Sequence, residues 1–245
     1  MFKMPDRRRI YLLRHAEAAY VADDGTVTDD PNNVALTRAG RVQARKQSAI
    51  LANVEFDRAV CSGLRRTVET ATIVLAGRET PLLEQQPDLI EIQGGSQLPE
   101  DEDHGMANWL RHMVNPWADA TEPDARFLGG ELFADFEARV TPAFDAIVAD
   151  TSWNTLLLVA HGGVNSLIFN HILHLPWQGD VAIEQDNACI NIIDVDCDEP
   201  GGAVRHLIRA VNLTGYNLNK SGIVLTNMES SVLRISEILG DGEER

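Results

Sequence analysis

Thr155-Leu156-Leu157-Leu158-Val159-Ala160 is an unbroken apolar run of strand length. A strand without polar alternation has to be covered on both faces, which calls for helices above and below a largely parallel sheet. Arg9 to Leu13, Phe56 to Cys61 and the stretch Pro81 to Ile92 with its exit have the same strand-like character. Helical spacing fills the gaps. Thr37 suits the N-cap of a helix over Arg38 to Asn53, and Leu64, Val68, Ala71 and Leu75 recur along a second one that Ser62 could cap. Gly129-Gly130-Glu131 opens the clearest helix, whose stripe is Leu132, Phe136, Val140 and Ile147; Pro142 inside it predicts a kink. Val164, Leu167, Ile168 and Ile172 mark a fourth. Ala188 to Val195 and Ala203 to Leu213, joined by a Pro-Gly-Gly turn at 198–202, read as a hairpin. The expected fold is an α/β protein: a three-layer α/β/α sandwich with a mainly parallel sheet, one domain over 1–245. An insertion over about 93–128, with a short helix around Met106 to Val114, is expected to act as a lid. A polar tail over about 230–245 is expected to end in disorder.

The strand exits carry the chemistry. In open α/β sheets ligands bind beyond the strand C-termini. Arg14-His15 stands at the first exit and His161-Gly162-Gly163 at the last. Ser62-Gly63-Leu64-Arg65-Arg66-Thr67 starts a helix beside backbone N–H groups that favour anions. Glu91 lies near another exit. A guanidinium forks onto phosphate oxygens, and a neutral imidazole can attack phosphorus. If the strands are parallel, Arg14, His15, Arg66, Glu91 and His161 face one crevice, and a carboxyl group there can protonate a departing oxygen.

Composition removes other classes. A formal net charge of -16 argues against nucleic acid or an anionic membrane as partner. It still permits a local pocket of converging arginines. No stretch approaches the ~18 apolar residues of a membrane helix, and the apolar run after the basic start is too short for a signal peptide. Cys61, Cys189 and Cys197 read as reduced thiols of a cytoplasmic protein. His171 and His174 have metal-ligand spacing but no third ligand in reach, so no metal is expected.

Six stretches carry a resemblance. They are Leu13-Arg14-His15-Ala16-Glu17; Leu36-Thr37-Arg38-Ala39-Gly40 with Gln43-Ala44; Ser62 to Thr67 with Thr70-Ala71; Leu89-Ile90-Glu91-Ile92; Gly130-Glu131; and Val159-Ala160-His161-Gly162-Gly163. In this order they resemble the histidine phosphatase superfamily, the phosphoglycerate mutase-like group, branch 1 type, over about Ile10 to Asn219. The resemblance implies that His15 becomes phosphorylated, that Arg14, Arg66 and His161 hold the phosphoryl group, that Glu91 is the acid and base, and that Gly162 and Thr37 lie at the substrate or phosphate. No cofactor or metal is implied. The substrate would be a small phosphorylated metabolite, and a homo-oligomer is compatible with it.

The pattern departs from the mutases. They carry Thr or Ser after the first-motif Glu and Asn three further on, where this chain has Ala18 and Val21. Glu91 is followed by Ile92-Gln93-Gly94 in place of the mutase Arg-His-Tyr. The favoured reading is therefore a metal-independent phosphatase. A mutase or bisphosphatase is the alternative, and a non-catalytic phosphate-ligand-binding or scaffold protein is the second. Glu100 to Asp103 could supply a substitute for Glu91 as the acid.

Overall fold

The computed structural model describes residues 6–20, 28–95, 113–117, 120–175, 183–197 and 203–240. Six strands form one sheet: β1 (Asp6–Arg14), β2 (Arg58–Cys61), β3 (Leu83–Gln85), β4 (Thr155–Ala160), β5 (Ile190–Cys197) and β6 (Ala203–Leu213). Their order is β3-β2-β4-β1-β5-β6. The first four are mutually parallel, and the β5/β6 hairpin adds on antiparallel to β1. The central position of β4 explains its unbroken apolar run.

Alternation along the strands sorts the core into two layers. Ile10, Leu12, Leu156 and Leu158 pack against Phe136, Val140 and Phe144 of α3 (Phe133–Ala149) and Val164 and Leu167 of α4 (Gly162–Ile172). Tyr11, Leu13, Leu157 and Val159 face the other way. There they meet Leu51 at the end of α1 (Arg38–Ile50) and Ala71 and Val74 of α2 (Arg65–Val74). The three-layer sandwich expected from the sequence is the observed architecture.

Several local expectations need correction. β3 covers only Leu83–Gln85, because Gln86 caps a 3-10 turn over Pro87–Leu89 that redirects the chain toward Glu91. α3 is capped at Leu132, not opened at Gly129, and runs through Pro142 to Ala149, the proline removing one interior N–H without ending the helix. The region expected to be a polar tail contains α5 (Asn227–Gly240). Its start is a capping box: Thr226 N donates to Glu229 Oε2 (2.7 Å) and Glu229 N to Thr226 Oγ1 (3.1 Å). The expected helix around Met106, the acids Glu100 to Asp103 and the turn at 198–202 lie outside the described residues.

Arg8 closes α3 from below. It is 3% exposed, donates to the terminal carbonyls of Val148 (2.6 Å) and Asp150 (2.5 Å), and lies 4.4 Å from the Trp153 ring centroid. Arg8→Met keeps much of the volume but leaves two carbonyls without a donor. It is expected to cost about 3 kcal/mol in urea unfolding, since each buried unsatisfied group costs about 1–3 kcal/mol.

Candidate active site

His15 is held on every side. Its N–H donates to Ala160 O (2.9 Å) and its carbonyl accepts from Ala188 N (3.0 Å), so it is pinned where β1 and β4 end. The next residue is tied to α2: Ala16 N donates to Thr70 Oγ1 (3.0 Å), and the Thr70 hydroxyl donates to Arg66 O (2.7 Å). Nδ1 of His15 lies 2.8 Å from the Ala16 carbonyl. A carbonyl only accepts, so Nδ1 carries the proton and Nε2 keeps its lone pair. Burial, then the charges of Arg66 and Arg14, hold the imidazole well below its ordinary pKa. Burial and the two guanidinium charges thus favour the neutral ring, with its lone pair on Nε2.

Three polar groups surround it. Arg14 donates through Nη1 to Gln185 O (2.5 Å) and Arg66 through Nη1 to Pro31 O (2.9 Å). Of the two adjacent arginines, Arg66 is the buried one; Arg65 is exposed and pairs with Glu69. His161 sits at the N-cap of α4, its ring centroid 5.2 Å from that of His15 and its Nε2 2.8 Å from Ser62 Oγ. Arg14 Nε, Arg66 Nε and His161 Nδ1 are buried with no hydrogen-bond partner among the described residues. Buried polar atoms are rarely orphaned, and two unpartnered guanidinium N–H groups near one imidazole suit an oxyanion. Gly162 lies against the Arg14 guanidinium, where an added Cβ would stand 3.5 Å from Nε.

Glu91 reaches the same place from the loop after β3. Its Oε2 accepts from Gly163 N (3.1 Å) at the start of α4, and its Oε1 from Ile92 N (3.2 Å). Arg139 of α3 braces this loop. It donates to the carbonyls of Asp88, Ile90 and Glu91 and is bidentate to Glu131, whose Oε2 also accepts from Gln93 N (3.0 Å). The Gly130-Glu131 stretch thus belongs to the site as the support of Glu91. Thr37 has both hydroxyl roles engaged: it donates to Glu17 Oε1 (2.6 Å) and accepts from Gly40 N (2.9 Å) as the cap of α1.

The family model described as histidine phosphatase superfamily (branch 1) matches residues 10–206. The chain belongs to this superfamily. Similar proteins include the adenosylcobalamin/alpha-ribazole phosphatase of Salmonella typhi, 28% identical over 189 residues, covering 76% of this chain and 90% of the relative. The 2,3-bisphosphoglycerate-dependent phosphoglycerate mutase of Rhizobium etli is 29% identical over 201 residues, covering 77% and 91%. Among solved structures, Bacillus stearothermophilus YhfR superposes with a TM-score of 0.64 at 25% identity, over 82% of this chain and 95% of that one.

In this histidine phosphatase chain the sequence alone misplaced Ser62, reading it as a helix cap. Leu64 is the N-cap of α2, and the Ser62 hydroxyl contacts His161 and Thr67. The signal was present, since Ser62 and Thr67 both lie in a matched stretch, but spacing cannot show which partner a hydroxyl selects. Thr70 lay in a matched stretch without a role assigned to it, and Arg139 and Gln185 carried no signal of their own. Each reaches the site from an element distant in sequence.

The buried histidines have a stability consequence. Burial, then nearby arginine charge, lowers His161 as it does His15. A histidine whose folded pKa lies below its unfolded value binds a proton in the unfolded chain first. Stability is therefore complete above the ordinary imidazole range and falls as pH drops below about 6.5, by about 1.4 kcal/mol per pH unit for each such histidine. Chemical denaturation across this range is expected to show a steeper acid loss in the wild type than in a His15→Gln/His161→Gln double variant.

Proposed function

We propose that this protein is a metal-independent phosphatase that hydrolyses a small phosphate monoester through a phosphohistidine on His15. The observation that supports this most is the buried His15 ring, whose Nδ1 is tied to the Ala16 carbonyl, leaving the Nε2 lone pair in a site with the unpartnered buried nitrogens of Arg14, Arg66 and His161. In the first step the Nε2 lone pair attacks phosphorus while the ester P–O bond breaks. Glu91, as the acid, gives its proton to the leaving oxygen and an alcohol departs. In the second step the Glu91 carboxylate takes a proton from water, the water oxygen attacks phosphorus, and the N–P bond breaks to release phosphate. Arg14, Arg66 and the start of α4 stabilise the equatorial oxygens throughout.

The test is hydrolysis of p-nitrophenyl phosphate with excess chelator, together with trapping of an acid-labile phosphoenzyme. Chelator-resistant turnover with a trapped phosphohistidine is expected. Glu91→Gln is expected to lose about 10²–10³-fold in kcat on a substrate with a poor leaving group, and less on p-nitrophenyl phosphate, whose leaving group needs little protonation. Full activity of Glu91→Gln on both substrates would remove Glu91 from this role. The similarity to the Rhizobium etli mutase favours a second reading, a phosphoryl transfer between two positions of one substrate. Turnover that requires priming by a bisphosphate, with negligible release of phosphate, would select it.

A further inference from the structure

We propose that Ser62 and Thr67 form a one-way hydroxyl relay that holds His161 in the tautomer with a bare Nδ1, so that each oxyanion entering the site brings a proton with it. This rests on the reading of the crevice as a phosphate site. The polarity of the relay follows from its far end. Thr67 Oγ1 lies 2.7 Å from the Leu64 carbonyl, which can only accept, so the Thr67 proton points there. Ser62 Oγ is 2.9 Å from Thr67 Oγ1 and therefore donates to it. With its single proton placed, Ser62 can only accept at the 2.8 Å contact with His161 Nε2. Nε2 thus carries the proton of the neutral ring, and Nδ1, buried and without a partner among the described residues, is a lone pair.

An unprotonated oxyanion oxygen is also only an acceptor. Two lone pairs meet unless a proton comes between them, either on Nδ1, giving an imidazolium with both N–H groups, or on the ligand oxygen. The proton count is the same in both cases. In the free protein burial keeps the ring neutral, with Arg66, the His15 ring, Arg14 and Arg139 each opposing its charge. A bound dianion reverses that balance. Charged and titratable groups surround His161 and its relay: Arg14 from β1 and His15 just beyond it, Arg66 from α2 and Arg139 from α3, Glu91 on the neighbouring Gly163 N, and Cys61 of β2 beside Thr67. His15 Nε2 and Glu91 can also take up a proton, so the test must separate them from His161.

Sulfate serves as the probe, because it stays a dianion near neutrality. Its affinity is measured by calorimetry from neutral to mildly alkaline pH, where each proton taken up weakens binding about tenfold per pH unit. Thr67→Val removes the acceptor of the Ser62 proton, so Ser62 turns to His161 Nε2 and the imidazole proton moves to Nδ1. The pH slope is expected to fall by one proton in Thr67→Val, to keep its wild-type value in Thr67→Ser, and to show the same difference in a Glu91→Gln background. Nitrogen-15 NMR of the unliganded protein is expected to show His161 protonated at Nε2 in the wild type and at Nδ1 in Thr67→Val. Should Thr67→Val fail to fold, Ser62→Ala removes the acceptor of Nε2–H and is expected to lose the same proton. Equal slopes in all variants, a free wild type protonated at Nδ1, or a slope lost only in Glu91→Gln overturns the relay. A wild type with the slope but without ester hydrolysis refutes the phosphatase reading and leaves the relay standing. Hydrolysis without the slope, or without any sulfate binding, does the reverse.

Discussion

His15→Ala is expected to lower kcat for p-nitrophenyl phosphate by about four orders of magnitude or more, because removing a covalent nucleophile removes the route and not only a contact. The phosphoenzyme should vanish with it. Anion binding should largely survive, since Arg14 is anchored by Gln185 O, Arg66 by Pro31 O, and His161 by Ser62, none of them through His15. The expected signature is thus a collapse of kcat with a retained inhibition constant for sulfate. The fold should also persist: the backbone of residue 15 keeps its bonds to Ala160 and Ala188, and the substitution removes one buried group that resists protonation. Far-UV circular dichroism and a urea midpoint check this. A variant that retains more than about a tenth of wild-type turnover, far above the residual expected for a lost nucleophile, would assign the chemistry to another group.

Gly163→Ala is expected to lower kcat by about 10²–10³-fold on substrates with poor leaving groups, the range assigned to a misplaced general acid. A Cβ at this position would stand 2.6 Å from Glu91 Oε1 and 2.6 Å from Trp117 Cη2. The carboxylate is the end of a flexible side chain, so it yields by swinging out of its bond with Gly163 N. The helix itself accepts alanine readily. The Trp117 ring, packed against Phe127 and Phe133, has to shift as well, so a loss of stability is expected beside the catalytic one. The catalytic loss should be small for p-nitrophenyl phosphate, and anion affinity should change little because Arg14 and Arg66 are untouched. Equal losses on both classes of substrate would mean that the added methyl disturbs the phosphoryl pocket itself.

How far the sequence could be read differed from residue to residue. The β4 run was legible because a strand buried on both faces has no polar position to break its pattern. Arg14, His15 and His161 were legible because each follows such a strand directly, and the pair Arg65-Arg66 because it opens a helix with a clear apolar stripe. The Thr37 cap was legible, while its bond to Glu17 was not. The capping box of α5 was written in Thr226 and Glu229 but lay in a stretch whose polarity suggested a tail. Glu91 could be named but not placed, since the 3-10 turn that redirects it depends on Gln86 and on Arg139, nearly fifty residues further on.

The sequence by itself determined the layered α/β architecture, the exits that carry the histidines and arginines, and the family. These follow from hydrophobic period and from short motifs, which are local. Only the tertiary structure decided which nitrogen of each histidine bears the proton, which of two adjacent arginines turns inward, and what braces the glutamate. Those outcomes depend on hydrogen-bond partners such as the Ala16 carbonyl, Thr67 and Glu131. A hydrogen bond acts over about 3 Å, so its partner is set by packing and not by position along the chain.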